Sequence, residues 1–352
     1  MSEQRSLRWG VLGPGRIAAN VARDFGNVAR GEIVAVGSRA LDRAAAFAGE
    51  HAPAARAYGS YAELLADDGV DAVYVATPHA QHARHASAAI AAGKAVLVEK
   101  SFTATYDAAE QVVNAAREAG TFAMEAMWTR FQPAVVRLRE VIADGAIGEI
   151  RGVTADLGVR RTYDPADRLF DLELGGGALL DLGVYVVSFA QMVLGHPRSV
   201  TALGSLAPSG VDAEAGLLVD FGGGRTATLQ TSFRSPSPGN ARIYGTDGWI
   251  DVPPRFHHPD RFVLHRAGHE SVEEIHPPRG AGYAHEFDEV ADCIDGNRTE
   301  SAVMSLADTL VVQRVLQDAA DQLGVALRDE PFDALDPLDE LQQPDQLVEE
   351  NR

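Results

Sequence analysis

The segment spanning residues 7–18 limits the fold more than any other part of the chain. An apolar run over residues 7–13 ends in Gly13-Pro14-Gly15-Arg16-Ile17-Ala18, which opens a helical pattern and matches GxGxxA. The glycines let the backbone turn tightly and approach a pyrophosphate, while a helix start offers free N–H groups and a positive dipole end. Ala18 lets the helix lie close on the strand. A glycine turn alone is weak evidence, because ordinary strand-to-helix turns use the same residues. Its setting supplies the specificity. Residues 32–38, 72–76, 95–99 and 122–126 read as further buried strands with helical stretches between them, the pattern of a doubly wound parallel sheet. A dinucleotide site is therefore expected, with Gly13, Gly15, Arg16 and Ile17 around the pyrophosphate.

The second strand ends Val36-Gly37-Ser38-Arg39, with no acidic residue before Asp42. An NAD-selective protein usually places a carboxylate here for the ribose 2′-hydroxyl. A small hydroxyl and an arginine suit a 2′-phosphate instead, Ser38 as donor and Arg39 as charged fork or stacking plane. Ser38 as a helix cap and Arg39 as a solvated side chain is the blander alternative. The expectation is NADP, with NAD possible, and Arg43 belongs to the same cofactor site.

After a helix at about 133–144 the pattern changes. Strands become longer and more alternating, at 150–159, 199–205, 215–221, 226–233 and 242–245, with one helix inserted after Gly175-Gly176-Gly177. Late helices at about 284–295 and 301–323 are expected to pack back across the junction. The fold expected is α/β: a Rossmann NADP-binding domain over residues 1–128, then an α+β domain for substrate binding and oligomerisation over 129–330. The latter carries a large open-faced, mostly antiparallel sheet, and an acidic extension covers 331–352.

Composition excludes several classes. No apolar run approaches the 18 or so residues a membrane span needs. Cys293 is the only cysteine, so no internal disulfide can form, and a reducing, cytoplasmic location is expected. A net charge of −19 opposes nucleic acid or an anionic membrane as partner. Part of that charge is local, since residues 329–352 hold nine acidic residues and one basic one.

Three motifs in order resemble the Gfo/Idh/MocA oxidoreductases: Val75-Ala76-Thr77-Pro78-His79-Ala80-Gln81-His82, then Val98-Glu99-Lys100, then Gly175 to Tyr185. Met124-Glu125-Ala126-Met127-Trp128-Thr129-Arg130-Phe131, with the Asp181/Tyr185 form of the later motif, is most similar to the dimeric dihydrodiol dehydrogenase and glucose-fructose oxidoreductase branch. The resemblance implies a Rossmann domain, an open sheet often used for dimerisation, NADP use, and action on sugars, polyols or trans-diols. A homodimer or higher homo-oligomer is the expected assembly. Two departures stand out. The family's usual Glu-Lys-Pro is Glu99-Lys100-Ser101 here, so a cis bond at that point costs about 2.5 to 4 kcal/mol without proline's help. Tyr185 replaces the histidine found in inositol dehydrogenases.

Lys100 sits at the C-terminal end of a parallel strand, where open α/β sheets bind ligands, and reaches both cofactor ribose and substrate. Its ammonium stabilises developing alkoxide and is expected to bring a nearby phenol toward its working range. Asp181 and Tyr185, at i and i+4 on a helix, share one face. Tyr185 is read as general acid/base and Asp181 as the group that orients substrate or Lys100. Thr77, Pro78, His79, His82 and Glu99 are placed near the nicotinamide and its ribose. The His79, His82 and His85 spacing does not converge on a metal, and none is expected. His257-His258 reads as loop. Trp128, Arg130 and Phe131 either line a substrate pocket or serve interdomain packing. One of Arg160, Arg161 and Arg168 is expected to contact substrate; the sequence does not say which, and Arg161 is taken as the candidate. Two other readings remain: an NAD-dependent glycosidase, which the Ser38-Arg39 pair disfavours, and a non-catalytic dinucleotide sensor, which needs no Lys100, Asp181 and Tyr185.

Overall fold

A computed structural model describes residues 6–331; the acidic extension lies outside the described residues apart from Pro331. The first half is a six-stranded sheet of β1 (Leu7–Leu12), β2 (Gly31–Gly37), β3 (Arg56–Tyr58), β4 (Ala72–Val75), β5 (Ala95–Glu99) and β6 (Ala123–Ala126). Their order is β3-β2-β1-β4-β5-β6, and every neighbouring pair is parallel. β4 and β5 are buried along their whole length, as central strands covered on both faces must be. The helices α1 (Arg16–Asp24), α2 (Leu41–His51), α3 (Tyr61–Leu65), α4 (His79–Ala91) and α5 (Tyr106–Ala119) supply that cover. The strand order reverses between β1 and β4, so a crevice opens beyond their C-terminal ends, where such sheets bind ligands. The sequence reading missed β3, a half-exposed edge strand of three residues too short to show a period.

After α6 (Pro133–Ala143) comes an eight-stranded sheet: β7 (Ile150–Gly158), β8 (Ser199–Leu206), β9 (Asp212–Gly222), β10 (Arg225–Ser232), β11 (Ala241–Gly245), β12 (Gly248–Val252), β13 (Arg261–Arg266) and β14 (Val272–Ile275). Its order is β14-β13-β12-β11-β7-β10-β9-β8, and only β7 and β10 run parallel. The mostly antiparallel sheet was expected; β12, β13 and β14, short and rich in charge, were not. Val200, Ala202, Leu217, Val219, Ala227 and Leu229 are buried on one face, the side of α7 (Val184–Leu194) and α9 (Leu306–Leu323). The other face carries Leu203, 77% exposed, and Leu218, 54% exposed.

The late helices return to the first half as expected. Phe287 of α8 (Ala284–Asp295) packs edge-on against Trp9 at 4.7 Å and Tyr74 at 5.4 Å, and a single core cluster runs through both halves. α9 starts at Leu306 instead of residue 301, because Ser301 Oγ accepts from the Val303 and Met304 N–H groups in a separate turn and Ser305 caps the helix. Among the described residues, no helix is long and apolar enough to cross a membrane.

Candidate active site

A cleft of about 630 Å³ opens at the β1/β4 crevice. It collects most of the residues singled out from the sequence: Gly13, Gly15, Arg16 and Ile17 from the first turn; Ser38, Arg39 and Arg43 after β2; Thr77, Pro78, His79 and His82 after β4; Glu99, Lys100, Asp181 and Tyr185 at its far end. Gly13 has φ +86°, and a Cβ there would stand 2.8 Å from Thr77 Cγ2 and 3.0 Å from the Ala76 carbonyl, so only glycine serves. A Cβ at Gly15 would meet no atom within 4 Å. No side chain caps α1 at Gly15, leaving the N–H groups of its first turn for a ligand. These residues fit a dinucleotide. Ser38 Oγ accepts from the Ala40 N–H at 3.4 Å, which leaves its own proton to donate, and Asp42 is engaged with the Arg43 N–H.

Lys100 follows β5, and its peptide bond to Ser101 is cis. Ser101 Oγ donates to the Leu180 carbonyl at 2.9 Å, joining this turn to the 179–183 segment. That segment forms one wide π-helical turn, Leu179–Gly183, before α7, in place of the continuous α-helix expected. It brings the backbone carbonyl of Asp181 to 2.8 Å and its carboxylate to 3.4 Å from Lys100 Nζ. Nζ also lies 4.9 Å from the centre of the Tyr185 ring. Burial opposes ionisation of Asp181, but Lys100 and Arg168, 3.8 Å away, outweigh it and hold the carboxyl below its usual range. The triple glycine shapes the approach: Gly175 has φ +71°, and a Cβ there would fall 2.8 Å from His79 Cβ.

Tyr185 departs from expectation. Burial first, then Glu99 and Asp181, push its phenol well above 10, so the neutral form is firmly favoured. The nearby ammonium does not bring it into a neutral working range. Glu99 is itself occupied, accepting from the Tyr74 hydroxyl at 2.5 Å and the Lys100 N–H at 3.1 Å.

Several assignments need correction. Arg130, 2% exposed, lies in the protein interior and not on the cleft wall: it donates to Ser188 Oγ, Gln191 Oε1, the Val303 carbonyl and the Asp308 carboxylate. Phe131 is buried in the core. Of the two readings of these residues, packing is the one the geometry matches. Arg161 borders a separate pocket with Tyr163 and Phe233, while the arginine that meets Asp181 is Arg168. The Asp167 carboxylate caps the short turn carrying Arg168, at 3.0 Å from the Leu169 N–H. His82 faces two carbonyls, Ser101 at 2.8 Å and Thr77 at 2.7 Å, leaving no ring nitrogen for a ligand. His79 is tied to the Gly175 carbonyl at 2.7 Å. Burial depresses both, to about 4 for His82 and about 3 for His79. His82 is thus a structural tie, while His79, held through one ring nitrogen, lines the cleft. Trp128 borders a neighbouring chamber of about 680 Å³, stacked on Tyr283 with ring centroids 4.4 Å apart. Asn20 lines both spaces. Tyr283, the N-cap of α8, was not singled out, and His257 was read only as loop, because neither position carries a sequence period to mark it.

A glycine-turned dinucleotide cleft ending at a lysine, an aspartate and a tyrosine defines an NAD(P)-dependent oxidoreductase acting on CH–OH groups. The chain belongs to the Gfo/Idh/MocA family: residues 7–127 match its NAD-binding Rossmann fold and residues 135–251 its C-terminal domain. It is 34% identical over 333 residues to the trans-1,2-dihydrobenzene-1,2-diol dehydrogenase of Mus musculus, covering 91% of this chain and 98% of that one. Among solved structures, it resembles a 3-ketoreductase from Actinomadura kijaniata in complex with NADP and TDP-benzene, with TM-score 0.76, 27% identity, and 94% and 100% of the two chains covered. An aldose-aldose oxidoreductase from Caulobacter crescentus complexed with glycerol gives TM-score 0.81, 25% identity, and coverage of 91% and 98%.

Proposed function

We propose that this chain is an NADP-dependent dehydrogenase or reductase of a small neutral sugar, polyol or trans-diol. The observation that carries the reading is Lys100 Nζ, held by Asp181 at the end of the dinucleotide cleft and beside the Tyr185 ring. A bound nicotinamide supplies or accepts the hydride at the carbinol carbon. Lys100 then holds the reacting oxygen and stabilises its charge. Tyr185, kept neutral by its surroundings, protonates that oxygen in reduction and recovers the proton in oxidation. Asp181, whose carboxylate also meets Arg168, holds the lysine. The names of the relatives support the substrate class: one acts on a dihydrodiol, one on aldoses, one is a ketoreductase. The deciding experiment is turnover of aldoses and trans-dihydrodiols with NADP or NAD, and of 1,5-anhydrofructose, a carbonyl substrate, with NADPH or NADH. Reduction of NADP by the hydroxyl compounds or oxidation of NADPH by the carbonyl compound is expected, and inertness toward all of them with every cofactor overturns the reading.

Cofactor choice rests on Arg39 and Ser38, with no carboxylate at the end of β2. A charge-assisted pair to a 2′-phosphate contributes roughly 1.5 to 3 kcal/mol. Arg39→Ala is therefore expected to weaken NADP about tenfold to a hundredfold while leaving NAD little changed, as read by cofactor titration. Equal losses for both cofactors contradict the assignment.

The exposed sheet face belongs to the same proposal, as the contact surface of a homodimer. Leu203 and Leu218 project from it, with Tyr244 at 38% and Trp249 at 40% exposure further along. An apolar sheet face needs a partner. Light scattering at micromolar concentration should give a dimer mass, and Leu203→Arg with Leu218→Arg should halve it. A monomeric wild type refutes the assignment.

A further inference from the structure

Beside the proposed catalytic tyrosine, one buried ring nitrogen lacks a partner among the described residues. His257 lies in the loop between β12 and β13, and its ring stands 5.1 Å from that of Tyr185 and 6.2 Å from that of Trp128. His257 Nδ1 is buried without a hydrogen bond, while the Trp128 indole is turned to the Tyr185 hydroxyl. The loop is anchored on each side of the ring: the His257 carbonyl accepts from Thr129 Oγ1 at 2.6 Å, and Phe256 is fully buried against Phe189 at 5.4 Å. A fixed loop that leaves a polar nitrogen unpaired in the interior is unfavourable unless a ligand completes it. The chamber bordered by Trp128, His258 and Tyr283 lies next to the cofactor cleft, with Asn20 common to both, and has room for the body of a small molecule.

We infer that His257 is a specificity-determining residue, which hydrogen-bonds a second, uncharged hydroxyl of the substrate on the carbon next to the reacting one. This rests on the oxidoreductase reading above. The close spacing of His257 and Tyr185 matches a hydroxyl on a neighbouring carbon better than a remote one. Burial, with His258, Lys100 and Arg255 nearby, lowers His257 to about 3. A neutral imidazole suits an uncharged hydroxyl.

The test compares kcat/KM for trans-1,2-cyclohexanediol with that for cyclohexanol, using NADP and the full chain. Wild type is expected to prefer the diol. His257→Phe keeps a ring but loses both nitrogens, and should lower the diol-to-alcohol ratio about tenfold to a hundredfold, the usual consequence of leaving a buried hydroxyl unpaired. His257→Gln, which restores a donor and an acceptor, should recover part of the ratio. Should the phenylalanine variant not fold, His257→Leu reads the same quantity. An unchanged ratio in the apolar variant, or a wild type with no preference for the diol, overturns this inference alone. Wild-type inertness toward both compounds and toward the wider sugar and diol panel overturns the oxidoreductase reading and this inference with it.

Discussion

Lys100→Met and Tyr185→Phe are each expected to lower kcat by about 10² to 10⁴, the usual loss for a positioned acid/base or a charge aimed at a developing oxyanion. NADP affinity should change far less, since both groups act on charge that appears only during transfer. The two side chains meet at the same point, with Nζ 4.9 Å from the ring centre. The double substitution should therefore cost little more than the worse single one, because effects within one catalytic unit do not add. Single-turnover kinetics with pre-bound cofactor reads this directly. Additive losses would mean that the two residues act separately.

The pH profile gives an independent check, and its sign follows from the structure. Burial, Glu99 and Asp181 all raise the Tyr185 phenol, so at neutral pH it holds a proton to give and cannot accept one. Reduction is therefore supported at neutral pH, while oxidation should quicken as pH climbs toward the phenol's pKa. Lys100→Met removes a nearby positive charge and should shift that limb further toward alkali. Near-normal kcat in Tyr185→Phe would move the proton-transfer role to Asp181, as His82 has both ring nitrogens on carbonyls.

The parts of this molecule that can be read from its sequence are those where local chemistry dictates the outcome. Gly13 is readable because a positive φ and a backbone approach permit nothing else, and β4 and β5 because strands buried on both faces must be continuously apolar. Lys100 and Tyr185 stood out through motif spacing, and the structure brings them together. What stayed hidden depends on contacts far apart in the chain. Arg168 and Arg161 occupy the same loop and look alike in sequence, yet only Arg168 meets Asp181. His257 reaches Tyr185 from 72 positions away, the difference of their residue numbers, in a loop whose path the sequence does not encode locally. β12 to β14 were missed because β12 and β13 are short, with few positions to show a period, and β14 is mostly exposed.

Arg130 shows how an apparent pocket residue becomes a structural hub, and its replacement is expected to produce the largest loss of stability. It follows Trp128 in a turn at the junction, a place where one donor fork and two aromatics suit a substrate wall. Its guanidinium instead joins two helices. Nε donates to Ser188 Oγ at 3.2 Å and Nη2 to Gln191 on α7, while Nη1 reaches the Val303 carbonyl at 3.2 Å and the Asp308 carboxylate at 2.8 Å in the first turn of α9. Gln191 Nε2 donates to the same carboxylate at 2.7 Å, closing the network. Arg130→Met fills similar space but takes the guanidinium donors from Gln191 Oε1, Ser188 Oγ and the Asp308 carboxylate, which keeps only Gln191 Nε2. Breaking one side of a fully buried ion pair costs about 3 to 5 kcal/mol; Asp308 is 25% exposed, so the loss should lie at or below the lower end of that range, and the urea midpoint should fall accordingly with little change in m. Arg130→Lys keeps the charge but not the planar fork, so an intermediate loss is expected. A substrate ligand would behave oppositely, with KM raised and the midpoint kept. That second pattern would return Arg130 to the pocket wall and require the α7–α9 junction to be held by other contacts.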